Sequence, residues 1–340
     1  MTSFPMRVSL SDLTIVVFSR DRAAGLERLI RYMQVRAERF RLLIFDNGQT
    51  PAILDPSVLP DGVSYQYDRG GFVRQHERAA KDLSTPFAML ADDDSLIGIE
   101  GVLRCISCLK NHPDLVAAHG SIAEWDSGGL VNQELTAKYL SLDSSTWARD
   151  SSTWASEKMA RIEQNFIKRE YWSRYWYAVH PSQNLSSYLS LIGSIRESFG
   201  HGDLPELAFE SACLFKGPTC DVKRITLWKS PENPTLVSST HPTEFWNSPE
   251  FDRVSRSFVN RLAEEFALDP LQASQFHHAM RKYSSQYRVP SGVLEKTVAF
   301  FMGAYNHRFH QPRIIRRLKR QPHRSDIENF FEALARSAGA

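Results

Sequence analysis

The chain has 340 residues, enough to bury a sizeable core, with the 42% apolar and 24% charged content of a soluble globular protein. Its 41 basic and 39 acidic residues leave a net charge of +2, so nothing in the balance draws the whole molecule to nucleic acid. Four cysteines in this length make no disulfide framework. The N-terminus has no basic stretch leading into an apolar core, and no apolar run reaches membrane-spanning length, so a cytoplasmic protein with reduced thiols is expected.

Leu13-Thr14-Ile15-Val16-Val17-Phe18 is a β-branched apolar run and reads as the first strand, ending in Ser19-Arg20-Asp21-Arg22. A helix should follow, with Leu26, Leu29, Ile30 and Met33 at helical spacing. Asp21 is the expected N-cap, and Gly25 weakens the first turn. Residues 41–45 give a second strand, closed by the turn Asp46-Asn47-Gly48. A third strand over 63–67 ends in Asp68-Arg69-Gly70-Gly71, and a second helix is expected over 72–83. Phe87-Ala88-Met89-Leu90 then suits a buried parallel strand, running into Ala91-Asp92-Asp93-Asp94-Ser95. This order implies right-handed crossovers and a mostly parallel α/β sheet. Every strand ends in polar residues, so one edge should gather Ser19, Arg22, Asp46, Asp68, Asp92 and Asp94. In an open α/β sheet that carboxyl edge is where ligands bind.

Side chains alternate along an extended chain, which would turn Asp92 and Asp94 to one side and Asp93 to the other. Two carboxylates on one side can hold a hard divalent cation, Mg²⁺ or Mn²⁺, that bridges to substrate phosphates. The competing reading is an acidic, solvated turn.

Val16-Val17-Phe18-Ser19-Arg20-Asp21-Arg22, then Ile44-Phe45-Asp46-Asn47-Gly48, then Gly71-Phe72-Val73-Arg74, then Ala91-Asp92-Asp93-Asp94 form an ordered set. Over about the first 120 residues this set resembles the nucleotide-sugar half of GT-A glycosyltransferases, in particular family 2-like enzymes of bacterial surface-polysaccharide synthesis. The resemblance implies a Rossmann-like GT-A fold with a mixed, mostly parallel sheet. It makes Ser19, Arg22 and Asp46 nucleotide contacts. It puts Asp92 and Asp94 on the metal and donor diphosphate, with Asp93 in the same donor site and a UDP-sugar as first guess. One departure stands out. The family's first strand usually ends in Pro-Thr/Ser-Tyr-Asn, whereas here Phe18-Ser19-Arg20-Asp21 leaves Arg20 without a role.

Residues 96–110 read as a helix that carries Cys105 and Cys108 as small core residues rather than a metal or redox pair, and 115–118 as a short strand. Asp143-Ser144-Ser145-Thr146-Trp147-Ala148-Arg149 is repeated from Asp150 through Trp154 to Ser156. Two readings compete: a lid whose tryptophans stack on a sugar ring, and a duplicated surface loop. A helix is expected over 157–171, with Met159, Ile162, Phe166 and Ile167 on one face. The aromatic stretch Tyr171-Trp172-Ser173-Arg174-Tyr175-Trp176-Tyr177 runs into Ala178-Val179-His180-Pro181. A Tyr-Ala-Val-His segment after the helix of Arg161 is similar to that of bacterial glycosyltransferases linked with surface polysaccharide. For His180 a buried hydrogen-bonded ring, a metal ligand and a phosphate donor all stay open.

Gly200-His201-Gly202 leads into Asp203-Leu204-Pro205-Glu206-Leu207-Ala208-Phe209-Glu210, a helix with proline early in it. An inverting glycosyltransferase needs a carboxylate to take the proton of the acceptor hydroxyl. Family members keep it at the start of a helix in the acceptor half, so Glu206, Asp203 and Glu210 are the candidates, Glu206 first. Glu206 and Glu210 are four apart and share a helix face. The competing reading is a set of solvent-facing helix charges.

Pro231, Pro234, Pro242 and Pro249 mark a linker, followed by helical patterns over 258–268, 271–283, 293–305 and 326–336. Arg313, Arg316, Arg317, Lys319 and Arg320 alternate with Ile314, Ile315 and Leu318, a basic amphipathic pattern over 313–320. It suits peripheral contact with an anionic membrane or the holding of a polyanion, or equally a solvated face.

The expected organisation is a nucleotide-sugar half (1–120), an acceptor half (121–235) and a helical C-terminal region (236–340). The expected function is metal-dependent sugar transfer from a nucleotide-sugar to a hydroxyl acceptor, a glycan or glycolipid, with inversion and no nucleic-acid partner. A nucleotidyltransferase would carry glycines where Ser19-Arg20-Asp21-Arg22 has none. A phosphatase of the Asp-x-Asp-x-Thr type would have Thr or Val where Leu96 stands. A non-catalytic sugar- or nucleotide-binding subunit is the remaining alternative.

Overall fold

A strand that is apolar on both faces must lie between two layers, and the first run of the sequence does. The computed structural model describes residues 8–35, 39–124, 159, 161–162, 175–199, 203–229 and 249–285. In chain order they form β1 (Leu13–Ser19), α1 (Ala23–Gln34), β2 (Arg41–Asp46), β3 (Val63–Tyr67), α2 (Phe72–Asp82) and β4 (Phe87–Asp92). There follow β5 (Ser95–Ile97), α3 (Ile99–Asn111), β6 (Ala117–Glu124), β7 (His180–Pro181), α4 (Ser182–Phe199) and α5 (Asp203–Lys216). β8 (Thr219–Lys229), α6 (Pro249–Glu265) and α7 (Pro270–Ser285) complete the set.

Two sheets result. One has the order β3-β2-β1-β4-β7, parallel throughout except for β7 against β4. The other has the order β5-β8-β6, with β8 parallel to β6 and antiparallel to β5. The fold is therefore α/β, Rossmann-like, with mixed and mostly parallel sheets. α1 turns Leu26, Leu29 and Ile30 into the core that the buried strands share. Antiparallel to α2 lies α4, with Ser186 Oγ donating to Ala80 O at 2.9 Å and Gly193 beside Val73. α5 follows α4 in the chain and stacks Phe209 edge-on to Tyr188. Phe215 near the end of α5 meets Phe266, just past α6, and Phe276 of α7, which docks the helical C-terminal part described here.

Four local expectations differ from the structure. Residues 95–97 do not start a helix; they pair with β8, fully buried, and α3 begins at Ile99. Asp21 does not cap α1: it adopts φ 57°, and its carboxylate accepts from Gln49 N at 2.6 Å, leaving Arg22 at the N-cap position. α4 and β8 were not evident as elements. α4 carries six serines, and Asp221, Lys223 and Arg224 break the apolar pattern of β8. Cys105 is buried on α3 as expected, while Cys108 is hydrogen-bonded to Cys220 of β8; all four cysteines are free thiols.

His180 is a buried, hydrogen-bonded ring. Its Nε2 donates to Tyr175 O at 2.8 Å, and the ring meets Tyr188 and Phe209 edge-on. Burial pushes its pKa from 6.5 down to about 4. Between those values the unfolded chain takes up a proton that the folded protein refuses. Its contribution is therefore full above pH 6.5 and is lost as pH falls toward 4. Gln in place of His180 still has a donor for Tyr175 O but does not titrate. In His180→Gln, unfolding free energy should fall less steeply below pH 6.5, by up to about 1.4 kcal/mol per pH unit. Parallel stability curves for the two proteins would contradict the assignment.

Candidate functional site

Parallel register carries the strand ends to one edge. Ser19 lies opposite Asp46, Phe18 opposite Asp92, and Asp46 opposite Tyr67. Beyond Asp92 the chain leaves the strand, and Asp93 and Asp94 form a turn. The alternation expected of an extended chain therefore fails here. Asp93 and Asp94 share Arg22, whose Nη1 lies 3.0 Å from Asp93 Oδ1 and 3.5 Å from Asp94 Oδ2. Ser19 Oγ donates to Asp93 Oδ2 at 2.7 Å. Asp92 turns elsewhere and accepts from the Tyr177 hydroxyl at 2.7 Å.

Electrostatics tie this cluster together. Burial raises the Asp93 carboxyl's pKa, more than the Ser19 hydrogen bond and the Arg22 charge lower it. Burial also opposes the charge on Arg22, but Asp93, Asp94 and Asp92 outweigh it and hold the guanidinium above its ordinary value. Three carboxylates beside one guanidinium leave a formal excess of two negative charges. Asp92 and Asp94 supply hard oxygen donors, the right chemistry for Mg²⁺ or Mn²⁺, and two such ligands suffice when substrate phosphates and water complete the shell. No group of three or more His, Cys, Asp or Glu suited to a metal occurs among the described residues.

Asp46, at the end of β2, is fully buried and organises the loop that follows. Its Oδ1 accepts from Gly48 N at 2.8 Å, and its Oδ2 accepts from Ala52 N at 2.8 Å and the Tyr65 hydroxyl at 2.6 Å. Burial and then this bond push the Tyr65 hydroxyl up to about 12. A cavity of about 300 Å³ lies between this loop and α1, lined by Ala23, Ile30, Ala52, Ile53 and Leu59 among others. None of Asp92, Asp93 and Asp94 lines it. Asp68 is spent on Arg78, at 2.8 Å, and on Gly70 N.

From the other half of the chain, α5 approaches the cluster through residues 175–177. Tyr177 is buried, and its hydroxyl pKa lies well above the usual value, first through burial, then through the charges of Asp92 and Glu206. Glu206, half-buried on the first turn of α5, is thus within electrostatic reach of the hydroxyl that touches Asp92. One turn later, buried Glu210 accepts from Tyr175 N at 2.8 Å and Trp176 N at 3.0 Å through Oε1. Asp203 is the first residue of α5, and its side chain lies outside the described residues. Arg161 reaches the other end of α5, its Nε donating to Leu214 O at 2.6 Å.

Ser19, Arg22, Asp92, Asp93 and Asp94 thus come together, Glu206 stands beside Tyr177, and Asp46 sits one strand away. Sequence reasoning missed Tyr177; the only signal was its place in the aromatic stretch. The Trp147 and Trp154 repeat, Gly200 to Gly202 and the basic segment 313–320 lie outside the described residues. Among the described residues, no helix is long and apolar enough to cross a membrane.

No family model matches the chain, and no curated protein matches it. Matches among solved structures include a crystal structure of S. aureus TarS, at 9% identity and TM-score 0.48, covering 80% of this chain. The chain spans 42% of that TarS chain. Residues 1–349 of TarS in complex with UDP-GlcNAc match at 9% identity and TM-score 0.49, over 80% of this chain and 72% of the other. The same piece with UDP matches at 9% identity and TM-score 0.44, over 81% and 90%. Likenesses this distant do not establish a family.

Gly25 has a specific reason to be glycine. A Cβ there would stand 2.7 Å from Asp93 O, because α1 rides directly on the acidic turn. Intrinsic helix propensity alone makes Gly25→Ala stabilising by about 1 kcal/mol. The close approach should win: we expect a loss of about 1–3 kcal/mol in denaturant unfolding, as for other overpacked sites. A gain in stability would mean that helix and turn are not in contact.

Proposed function

We propose that the chain is a metal-dependent GT-A glycosyltransferase that transfers a sugar from a nucleotide-sugar to a hydroxyl of a glycan or glycolipid. The observation that carries this reading is the meeting at one sheet edge of the Asp92–Asp93–Asp94 turn with a carboxylate, Glu206, from a distant helix. Residues 1–120 would bind the donor, 121–235 the acceptor, and 236–340 form the helical remainder.

Asp94, assisted by Asp92, would hold Mg²⁺ or Mn²⁺, which neutralises the leaving diphosphate when bound. The excess of two negative charges in the cluster supports a divalent cation. Arg22 and Ser19 keep Asp93 in place and stand where the nucleotide would lie, and Asp46 shapes the loop beside it. Glu206 would take the acceptor proton as the hydroxyl oxygen attacks the anomeric carbon and the bond to the diphosphate breaks. A helix N-terminus favours its ionised form by a few tenths to about 1 kcal/mol. Inversion follows from the family resemblance alone.

UDP with Mn²⁺ should raise the melting midpoint of the wild type, because a ligand bound only to the folded state stabilises it. Asp94→Asn should lose that shift, and an equal shift in EDTA would remove the metal from the reading. Asp46→Ala should raise the donor KM more than it lowers kcat. In Glu206→Gln, kcat should fall by roughly 10²-fold with donor affinity kept. Near wild-type turnover in that variant would move the base elsewhere.

A further inference from the structure

We infer that Glu210 and Tyr177 form a positioning relay through which helix α5 sets the orientation of Asp92. The inference rests on the reading of the Asp92–Asp94 cluster given above. Glu210 is 1% exposed, and a buried carboxylate must recover its lost hydration from hydrogen bonds. It does so with two backbone donors, Tyr175 N at 2.8 Å and Trp176 N at 3.0 Å, both on Oε1. Two adjacent amides on one oxygen pin the turn over residues 175–177. His180 adds a second tie by donating to Tyr175 O at 2.8 Å.

Tyr177 leaves that pinned turn and donates its hydroxyl to Asp92 Oδ2 at 2.7 Å. A carboxylate oxygen can only accept here, so the hydroxyl is the donor of this bond. A donor fixed in this way decides which way the carboxylate faces. Around metal-ligating carboxylates such outer bonds typically matter 10- to 100-fold in metal affinity or activity. Glu210 is a poor base for the same reason that it is a good anchor: it is sealed from solvent and already holds two amides. Glu206, one turn earlier on the same helix, is half-buried. One helix would then carry the proton acceptor and the support for the donor-site carboxylate, so a shift of α5 would disturb both together.

The test combines amide hydrogen exchange with calorimetry of Mn²⁺ binding in the presence of UDP on the full chain. Tyr177→Phe keeps the ring and should keep the melting midpoint and the protection of the Tyr175 and Trp176 amides. Its Mn²⁺ affinity should fall about 10- to 100-fold. Glu210→Ala should lose the amide protection and the affinity, and Glu210→Gln, whose amide oxygen still accepts, should recover both. Adding Glu210→Ala to Tyr177→Phe should weaken Mn²⁺ binding no further, as expected for residues acting in series. Wild-type affinity in Tyr177→Phe, or additive losses in the double variant, overturns the relay. If the wild type binds no Mn²⁺ with UDP, the reading of the site fails instead. The anchor is then judged by exchange alone, and unchanged protection in Glu210→Ala overturns it.

Discussion

Three consecutive carboxylates at the end of a buried strand repel one another, and the guanidinium of Arg22 is what holds that turn together. Two unit charges about 4 Å apart interact by on the order of 4 kcal/mol at an effective dielectric of 20, so two contacts from one cation to Asp93 and Asp94 matter. Arg22 can be there only because α1 starts where it does. That start depends on Asp21 turning into the left-handed region and on Gly25 leaving room for the Asp93 carbonyl. Ser19 completes the arrangement from the end of β1. The departures from ordinary helix design, a positive φ and a glycine in the first turn, thus serve the acidic turn.

The sheet was legible because its cause is local. Apolar runs bounded by polar turns marked β1, β2, β3 and β4 within a residue or two, and the shared carboxyl edge followed from the order of elements. What was not legible depends on partners far along the chain. Ser95-Leu96-Ile97 continues an apolar pattern that suits a helix, and only pairing with β8, more than a hundred residues later, makes it a strand. Asp21 has the composition of a cap, but Gln49 N competes for its carboxylate and wins. Alternation would turn Asp93 away from Asp94, but the strand ends at Asp92, and the turn brings Asp93 and Asp94 to the same guanidinium. Tyr177 meets Asp92 across 85 positions, which no spacing rule could anticipate.

The two halves of the chain are joined by aromatic packing around a neutral histidine. His180 on β7 lies against β4 and is enclosed by Tyr188 of α4 and Phe209 of α5. A charged ring there would stand among apolar faces without solvent, so burial holds it neutral. That settled one of the roles left open by the sequence in favour of structure. The same packing carries α5 and residues 175–177 to the strand edge, so the stability of the aromatic layer and the geometry of the site are linked.

Carboxylates are chemically alike, and their surroundings divide the work among them. Asp46 is committed to two amides and a hydroxyl, which suits a scaffold. Asp93 is committed to Ser19 and Arg22, and Glu210 to two amides. Each of these groups holds backbone or a helix start, and each would leave buried donors unpaired if it moved to meet a substrate, at a cost of about 1–3 kcal/mol per group. Glu206 is half-buried on the first turn of a helix, a position that favours a carboxylate in its ionised form. Asp92 lies between these two kinds, partly exposed but steered by Tyr177. A residue in that position can meet a ligand while its orientation is still dictated by the fold, which is what the donor-site role proposed for it needs.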